Sequence, residues 1–255
     1  MMLTAATAAC AKAQRTPTNG DSARTPGMVM GAEAAMGSMT MTAADIKAMN
    51  EHMQMTELAP PNSADSIRAA QLVTELRSSI AKYNDVKVAV GDGFRQFAPQ
   101  VKNQHVYHFT NYRWGFENAF RFNPEKPTSL LYKKDANGKF VLVGAMYTAP
   151  KRFSEKDLDK RVPLSVAQWH KHINWCLPPR GAGESAWQTR KNGRPVFGPL
   201  GVSTEAECDA AGGRFEKEVF GWMVHANVFA SDDPKVIWHD DHGMSGNEMM
   251  DHNHD

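Results

Sequence analysis

The sequence predicts an α+β fold, with two N-terminal helices packed on an antiparallel β-sheet in a single domain and disordered flanking arms. Two observations lead to this fold class. Apolar residues recur at helical spacing over 64–83, and several short segments with strand-like patterns follow from residue 105 onward, separated by turn signals. The 255 residues suffice for one substantial domain, which we place at 63–238.

The linker and the first helices come before the predicted sheet. Residues 14–62 form a Met-rich linker, which contains a short helix over 43–58. Met49, His52 and Met53 would share one face of that helix, since residues three and four apart are neighbours. Ser63 is the predicted cap of a longer helix over 64–83, and a further helical turn follows at 85–90. The predicted core face of the longer helix consists of Ile67, Val73, Leu76, Ile80 and Tyr83.

The remaining elements alternate between strand patterns and turns. The clearest of them is a β-hairpin over 129–148, in which Asp135-Ala136-Asn137-Gly138 forms the turn because Asn-Gly readily adopts positive φ. The other expected elements are strands at 105–112, 169–176 and 218–230, a charged helical turn at 154–160, and a short helix at 203–213 that ends at Gly212.

The composition excludes some classes of function. The chain has 29 Lys and Arg against 28 Asp and Glu, so its formal net charge is +1. This near-neutral balance argues against a nucleic-acid partner, because nucleic-acid binders usually carry a basic patch or stripe. The mean hydropathy is −0.50, and no run approaches the ~20 apolar residues of a transmembrane helix.

The first thirteen residues, MMLTAATAACAKA, are small and apolar and end in Ala-x-Ala before Gln14. This pattern is typical of the end of a secretory signal, so we interpret 1–13 as a signal-peptide remnant and expect a periplasmic or secreted protein. Two alternatives stay open. TAAC is a degenerate lipobox that would place a lipid anchor on Cys10, and an Ala-rich disordered start would have the same composition.

Two cysteines, Cys176 and Cys208, remain once the leader is set aside. An exported protein with two cysteines favours one disulfide bond. The closed loop would span roughly 33 residues and stabilise the fold by about 3–4 kcal/mol in the chain-entropy model. The alternative is a pair of buried thiols.

A histidine pair on the 169–176 strand is the first candidate metal site. Residues two apart in a strand point to one face, so His170, His172, Asn174 and Cys176 would share a side. Trp169, Ile173 and Trp175 would face the core. Two imidazoles one pleat repeat apart can chelate one metal ion.

Further ligands would come from neighbouring strands. His225 and Met223 share a face of the 218–230 strand, and His108 lies on the 105–112 strand. Three histidines with an open position suit zinc, copper or iron, and the thioether of Met223 favours copper. The alternative is that these histidines are buried and only hydrogen-bond to carbonyl groups.

Both arms are rich in soft metal ligands. Eight methionines fall between residues 28 and 55. The tail, 239–255, contributes the candidate ligands His239, His242, His252 and His254, with three further methionines. Thioether and imidazole together suit copper, particularly Cu(I). A solvated terminus without a ligand is the alternative for the tail.

The chain order of several motifs resembles a family of exported bacterial proteins that has no assigned activity. The motifs are KYNDVKVAVGDGF, HVYHFTNY, FNPEKPTSLLYKKDANGKFVLVGAMYTAP, WHKHINWC and FGWMVHANVFA, which together cover roughly residues 80–230. The resemblance implies secretion and a common α+β domain. It carries no catalytic residues over to this chain.

These observations support three hypotheses of function. The first is an exported metal-binding protein, for copper, that serves metal tolerance or trafficking. The second is a metal-dependent enzyme with a three-histidine site in the α+β domain, and the third is a structural or interaction domain without metal. The sequence contains no G-x-S-x-G, P-loop or G-x-G-x-x-G motif, so it names no reaction.

Overall fold

The computed structural model describes residues 50–99 and 104–238. Three predicted segments lie outside the described residues: the expected signal-peptide remnant with Cys10, the linker up to Met49, and the tail with its four candidate histidines. Within the described ranges, an antiparallel sheet and several helices confirm the α+β class. No helix in these ranges is long and apolar enough to cross a membrane.

Helix α1, Ser63–Ile80, begins one residue away from the predicted position. Asn62 is the N-cap, and its side chain accepts a hydrogen bond of 2.9 Å from the backbone N–H of Asp65, so Ser63 is the first helical residue. The prediction that Ile67 belongs to the core is wrong: Ile67 is 62% exposed, whereas Leu76 is fully buried. Nine residues correspond to two and a half helical turns, which places Ile67 on the opposite side of α1 from Leu76.

A 3₁₀ helix, Ala81–Asn84, and helix α2, Val86–Gly91, follow α1. The hydroxyl group of Tyr132 donates a 2.7 Å hydrogen bond to the carbonyl oxygen of Tyr83, and both tyrosine side chains are buried. This bond fixes the end of the helical segment against the sheet.

The main sheet has eight strands, and all of its pairings are antiparallel. Its order is β1-β6-β10-β5-β4-β3-β2, and β9 also pairs with β6. A separate two-stranded ladder joins β7 and β8. The strands are β1 Met53–Met55, β2 Arg95–Gln96, β3 Tyr107–Thr110, β4 Ser129–Lys134, β5 Phe140–Ala149, β6 His170–Leu177, β7 Arg190–Lys191, β8 Arg194–Pro195, β9 Arg214–Glu218 and β10 Trp222–Ala226.

The remaining helices lie between the strands. They are α3 Tyr112–Phe120, α4 Glu155–Asp159, a 3₁₀ helix Glu184–Gln188, α5 Glu205–Ala210 and α6 Pro234–Ile237. The charged turn at 154–160 is therefore confirmed as α4. The hairpin is confirmed as β4–β5, with Gly138 at a φ of +75°.

Two predicted elements are wrong at their boundaries. The helix expected over 43–58 ends at His52, because Met53–Met55 forms strand β1 beside β6. The domain therefore includes residues before 63. The single strand expected over 218–230 is two strands, β9 and β10. The break contains Gly221, where a Cβ atom would lie 2.1 Å from the carbonyl oxygen of Ala149.

The predicted disulfide between Cys176 and Cys208 is confirmed and links β6 to α5, with the two Cα atoms 5.4 Å apart. The bond lies in a small apolar cluster with Val196 and Phe197. Helix α5 confirms the helix expected at 203–213, and Thr204 is its N-cap. The apolar cluster around the disulfide is separate from the main core.

The main core lies between α1 and one face of the sheet. Leu76 and Ile80 of α1 belong to the same buried cluster as Trp169, Tyr147 and Val224. Since successive residues of a strand point to opposite faces, the neighbours of these core residues point away from α1. The histidines of β6 and β10 are among those neighbours.

The carboxylate of Asp65 links the start of α1 to the loop before β6. It accepts a hydrogen bond of 2.7 Å from Ser165 and one of 3.0 Å from Arg68, and a third comes from Asn62. These donors, with Ser165 contributing most, lower the pKa of Asp65 from 3.8 to about 2. The stabilisation is therefore present above the unfolded-state pKa of 3.8 and is lost as the pH falls through about 2.

We expect Asp65→Asn to flatten the dependence of unfolding free energy on pH between about pH 5 and about pH 2. Urea unfolding followed by circular dichroism would measure this. Asp209→Asn, which changes an exposed carboxylate on α5, is the control. An equal acid sensitivity in the Asp65 variant and the parent would contradict the assignment.

Candidate metal-binding face

The sheet face opposite α1 collects imidazole and thioether groups from four strands. Register places Met223 of β10 directly opposite His170 of β6, and His225 of β10 directly opposite Met146 of β5. Residues opposite each other in an antiparallel pair lie on the same face. We call the set His108, Met146, His170, His172, Met223 and His225 the His/Met face.

The four histidine rings of this face form a continuous row. The ring centroids of His108 and His225 are 5.5 Å apart, those of His225 and His170 are 5.2 Å apart, and those of His170 and His172 are 5.6 Å apart. His225 and His170 therefore each contact two other histidines. The row brings together residues from β3, β6 and β10, which are far apart in sequence.

Burial differs along the row. His170 is 1% exposed and His225 is 5% exposed, whereas His108 and His172 at the two ends are half-buried. Met146 and Met223 are buried in one cluster with Leu131. The central histidines are thus enclosed by apolar and thioether groups, and the outer histidines lie nearer the solvent.

As positioned, no three His, Cys, Asp or Glu side chains within 50–99 and 104–238 converge closely enough to hold a metal ion. Met223 adds a thioether close to both central imidazoles, since it faces His170 across the strand pair and lies two residues from His225.

His52 and Met53 do not have the shared helix face that was predicted for them together with Met49. His52 is buried, with Nε2 3.1 Å from the carbonyl oxygen of Gly201 and Nδ1 3.4 Å from that of Ile173. These contacts hold the chain before β1. The shared helical face of His52 and Met53 is wrong because Met53 belongs to a strand, and Met49 lies outside the described residues.

Strand β1 instead brings two methionines to the register of the β6 histidines. Met53 lies opposite His172 and Met55 lies opposite His170. Met53 is 8% exposed, and Met55 is half-buried. The last two methionines of the Met-rich stretch are therefore cross-strand neighbours of the histidine pair.

The alternation expected along β6 fails at Asn174, which has a φ of +55°. A residue in this left-handed region interrupts the regular pleat. Trp175 consequently contacts the ring of His172, at a centroid distance of 5.1 Å, although it was expected on the core side with Trp169. Cys176, expected beside the histidines, belongs to the separate disulfide cluster.

A cavity of about 570 Å³ lies against the His/Met face. Its walls include the aromatic rings of Phe97, Tyr112, Phe116, Trp175 and Phe220. Its polar lining consists of the four histidines, Thr110, Thr128, Thr148 and Lys151. Thr128 and Thr148 hydrogen-bond to each other at 2.8 Å, and Thr110 hydrogen-bonds to Ser129 at 2.9 Å.

No direct signal in the sequence points to several of these groups. Met146 is one of many apolar residues in its strand, and its place opposite His225 depends on the β5–β10 register. Phe220 and Lys151 lie just outside regular strands, where periodicity says nothing about direction. Only knowledge of the strand order would have identified them.

The chain matches no family model, no curated protein and no solved structure in the comparisons with known proteins. The resemblance to exported bacterial proteins therefore stays a prediction. The His/Met face and its cavity are the features of the described residues that bear on function.

Proposed function

We propose that this protein binds copper on the His/Met face, as Cu(I), and serves copper tolerance or trafficking in the periplasm or outside the cell. One observation carries the proposal. Four histidine rings follow one another at 5.2–5.6 Å on a single sheet face, and two buried methionines lie in register with the central pair. Imidazole and thioether together are the donors that Cu(I) favours.

The best candidate donor set is His170, His225 and Met223. The two imidazoles are in ring contact, and Met223 is the cross-strand partner of His170. A thioether as third ligand is consistent with the lack of three converging His, Cys, Asp or Glu side chains in the described ranges. Zinc and iron are poorer matches, since such sites usually contain three or more nitrogen, oxygen or thiolate ligands.

The charge of the cavity also favours a monovalent ion. Among the described residues that line it, none is acidic, and the candidate donors are thioether and imidazole groups. An enclosed charge is costly unless the site compensates it. Cu(I) would leave one positive charge to compensate, whereas Cu(II), Zn²⁺ or Fe²⁺ would leave two.

The two arms extend this proposal. The Met-rich linker runs into β1, where Met53 and Met55 stand opposite His172 and His170. The arms would capture ions and the His/Met face would retain one of them. Export, with removal of 1–13 or a lipid anchor at Cys10, belongs to the same proposal.

Competition with the Cu(I) chelator bathocuproine disulfonate under reducing, oxygen-free conditions tests the proposal on the full chain. We expect one tightly held Cu(I) ion per chain. A variant with His170→Asn and His225→Asn should lose it. A variant with asparagine at His239, His242, His252 and His254 should keep it. Failure of the parent chain to retain copper, or loss only in the tail variant, would contradict binding at the face.

The second candidate function is metal-dependent catalysis, which the cavity of about 570 Å³ beside the histidines favours. Substrate sites of enzymes have this size and largely apolar character. If a bound metal keeps an open position towards the cavity, azide added to the Cu(II)-loaded protein should change its electron paramagnetic resonance spectrum. An unchanged spectrum would leave copper binding without catalysis.

A further inference from the structure

We infer that the cavity beside the His/Met face binds a small aromatic carboxylate, with its rings against the aromatic walls and its carboxylate towards Lys151. This inference goes beyond copper binding and does not depend on it. The walls, the charge and the size of the cavity indicate this class of ligand.

The aromatic walls of the cavity favour a ligand with an apolar, planar ring system. Phe220 packs edge-to-face with Phe97 at 5.8 Å and with Trp175 at 5.7 Å, which forms one aromatic side. On α3, Tyr112 is 66% exposed and Phe116 is 68% exposed, although both line the cavity. Large apolar groups exposed together mark binding surfaces. A flat ligand between these two sides would cover rings that are now open to solvent.

The charged side chains that line the cavity favour an anionic ligand. Lys151 is the cationic group among the described residues that line the cavity, and no acidic side chain lines it in those ranges. One of the N–H groups of Lys151 donates to the carbonyl oxygen of Glu218, which holds the ammonium group in place. The carboxylate of Glu218 is itself paired with Lys171. Glu218 thus contacts Lys151 through its backbone carbonyl oxygen and Lys171 through its carboxylate, and an anionic ligand would give the ammonium group of Lys151 an opposite charge.

The size and the remaining polar groups limit the ligand further. A volume of about 570 Å³ is within the range of sites for small organic molecules. Two pairs of hydroxyl groups, Thr128 with Thr148 and Thr110 with Ser129, satisfy each other. The ligand therefore does not have to supply hydrogen-bond partners for these hydroxyl groups. A two-ring arene with a single carboxylate satisfies all these conditions.

Isothermal titration calorimetry on the full chain tests this inference with two matched probes, 2-naphthoate and 2-naphthamide. They share the same rings and differ in charge. We expect naphthoate to bind about tenfold more tightly, since a hydrogen bond to a charged group contributes about 1.5 kcal/mol or more. No binding of naphthoate, or equal binding of both probes, would overturn the inference.

Two pairs of variants locate the binding. Lys151→Gln should remove the preference for naphthoate, whereas Lys139→Gln, on the exposed hairpin turn, should keep it. Ala119→Trp fills the cavity from α3 and should abolish binding, whereas Phe120→Trp, on the same helix but outside the cavity lining, should not. A preference that survives in Lys151→Gln, or binding unaffected by Ala119→Trp in a protein with native circular dichroism, would place the probe elsewhere and overturn the inference.

Titration of chelator-treated and Cu(I)-loaded protein separates this inference from the proposed function. Naphthoate binding without copper retention would refute only the copper proposal. Copper retention without naphthoate binding would refute only the aromatic-carboxylate site.

Discussion

Replacing His225 by alanine in the full chain is expected to lower the affinity for the most tightly held Cu(I) ion by about 100-fold, which corresponds to about 2.8 kcal/mol of binding free energy. His225 of β10 has ring contacts to both His108 of β3 and His170 of β6, so it joins the two ends of the histidine row. Its loss would leave His170 and Met223 as two donors of the proposed set. Competition with bathocuproine disulfonate would measure the change.

His105→Ala is the matched control, because His105 is exposed and lies just before β3. It should leave the affinity unchanged. His108→Ala should have a smaller effect than His225→Ala, since His108 lies at one end of the row. Equal affinities for the His225 variant and the parent would show that copper, if retained, is bound by other groups.

Folding must be checked separately, because His225 is only 5% exposed and alanine would leave a cavity. His225→Asn keeps more of the volume but removes the imidazole. If both variants lose copper while urea unfolding shows a folded protein, the loss belongs to the ligand. An affinity restored in His225→Asn would indicate that packing matters more than coordination.

The double substitution Cys176→Ser and Cys208→Ser is expected to lower the free energy of unfolding by about 3–4 kcal/mol. The bond closes a loop with a sequence separation of 32 residues, and its two sulfurs are fully buried. Two serine hydroxyl groups would replace them in an apolar cluster beside Phe197, which adds a desolvation cost. Urea unfolding of oxidised parent and variant would measure the difference.

Packing around the disulfide allows little adjustment. A Cβ atom added at Gly213 would lie 2.4 Å from the sulfur of Cys176 and 2.8 Å from that of Cys208.

The reduced parent, treated with dithiothreitol, is the control that keeps both sulfur atoms while opening the loop. If the reduced parent is as stable as the oxidised one, the bond adds nothing to stability and the predicted loss is wrong.

Features set by local sequence were predicted well. The β4–β5 hairpin follows from Asn137-Gly138, because the turn requires a positive φ that Gly138 adopts. Helix α1 follows from its apolar spacing, although Ile67 faces away from the core because it lies two and a half helical turns from Leu76. The disulfide followed from two cysteines in a chain expected to be exported.

Features set by long-range pairing were not predictable in the same way. Alternation places His170 and His225 on strand faces, but only the β6–β10 pairing brings their rings to 5.2 Å. No local pattern encodes that pairing, since the strands are some fifty residues apart. The positive φ of Asn174 is a further example. It reverses the alternation of β6 and sends Trp175 to the histidine side.

Because it contains strand β1, the Met-rich linker also affects whether protein molecules associate with one another. Met53–Met55 covers the backbone of β6 over His170–His172, and the N–H group of Thr56 donates to the carbonyl oxygen of Trp169. Proteolytic trimming of the arm back to residue 63 would strip this cover and leave a bare strand edge. Bare edges recruit strands from other molecules. Cleavage near Pro60 and Pro61 would thus favour self-association of the protein through β6.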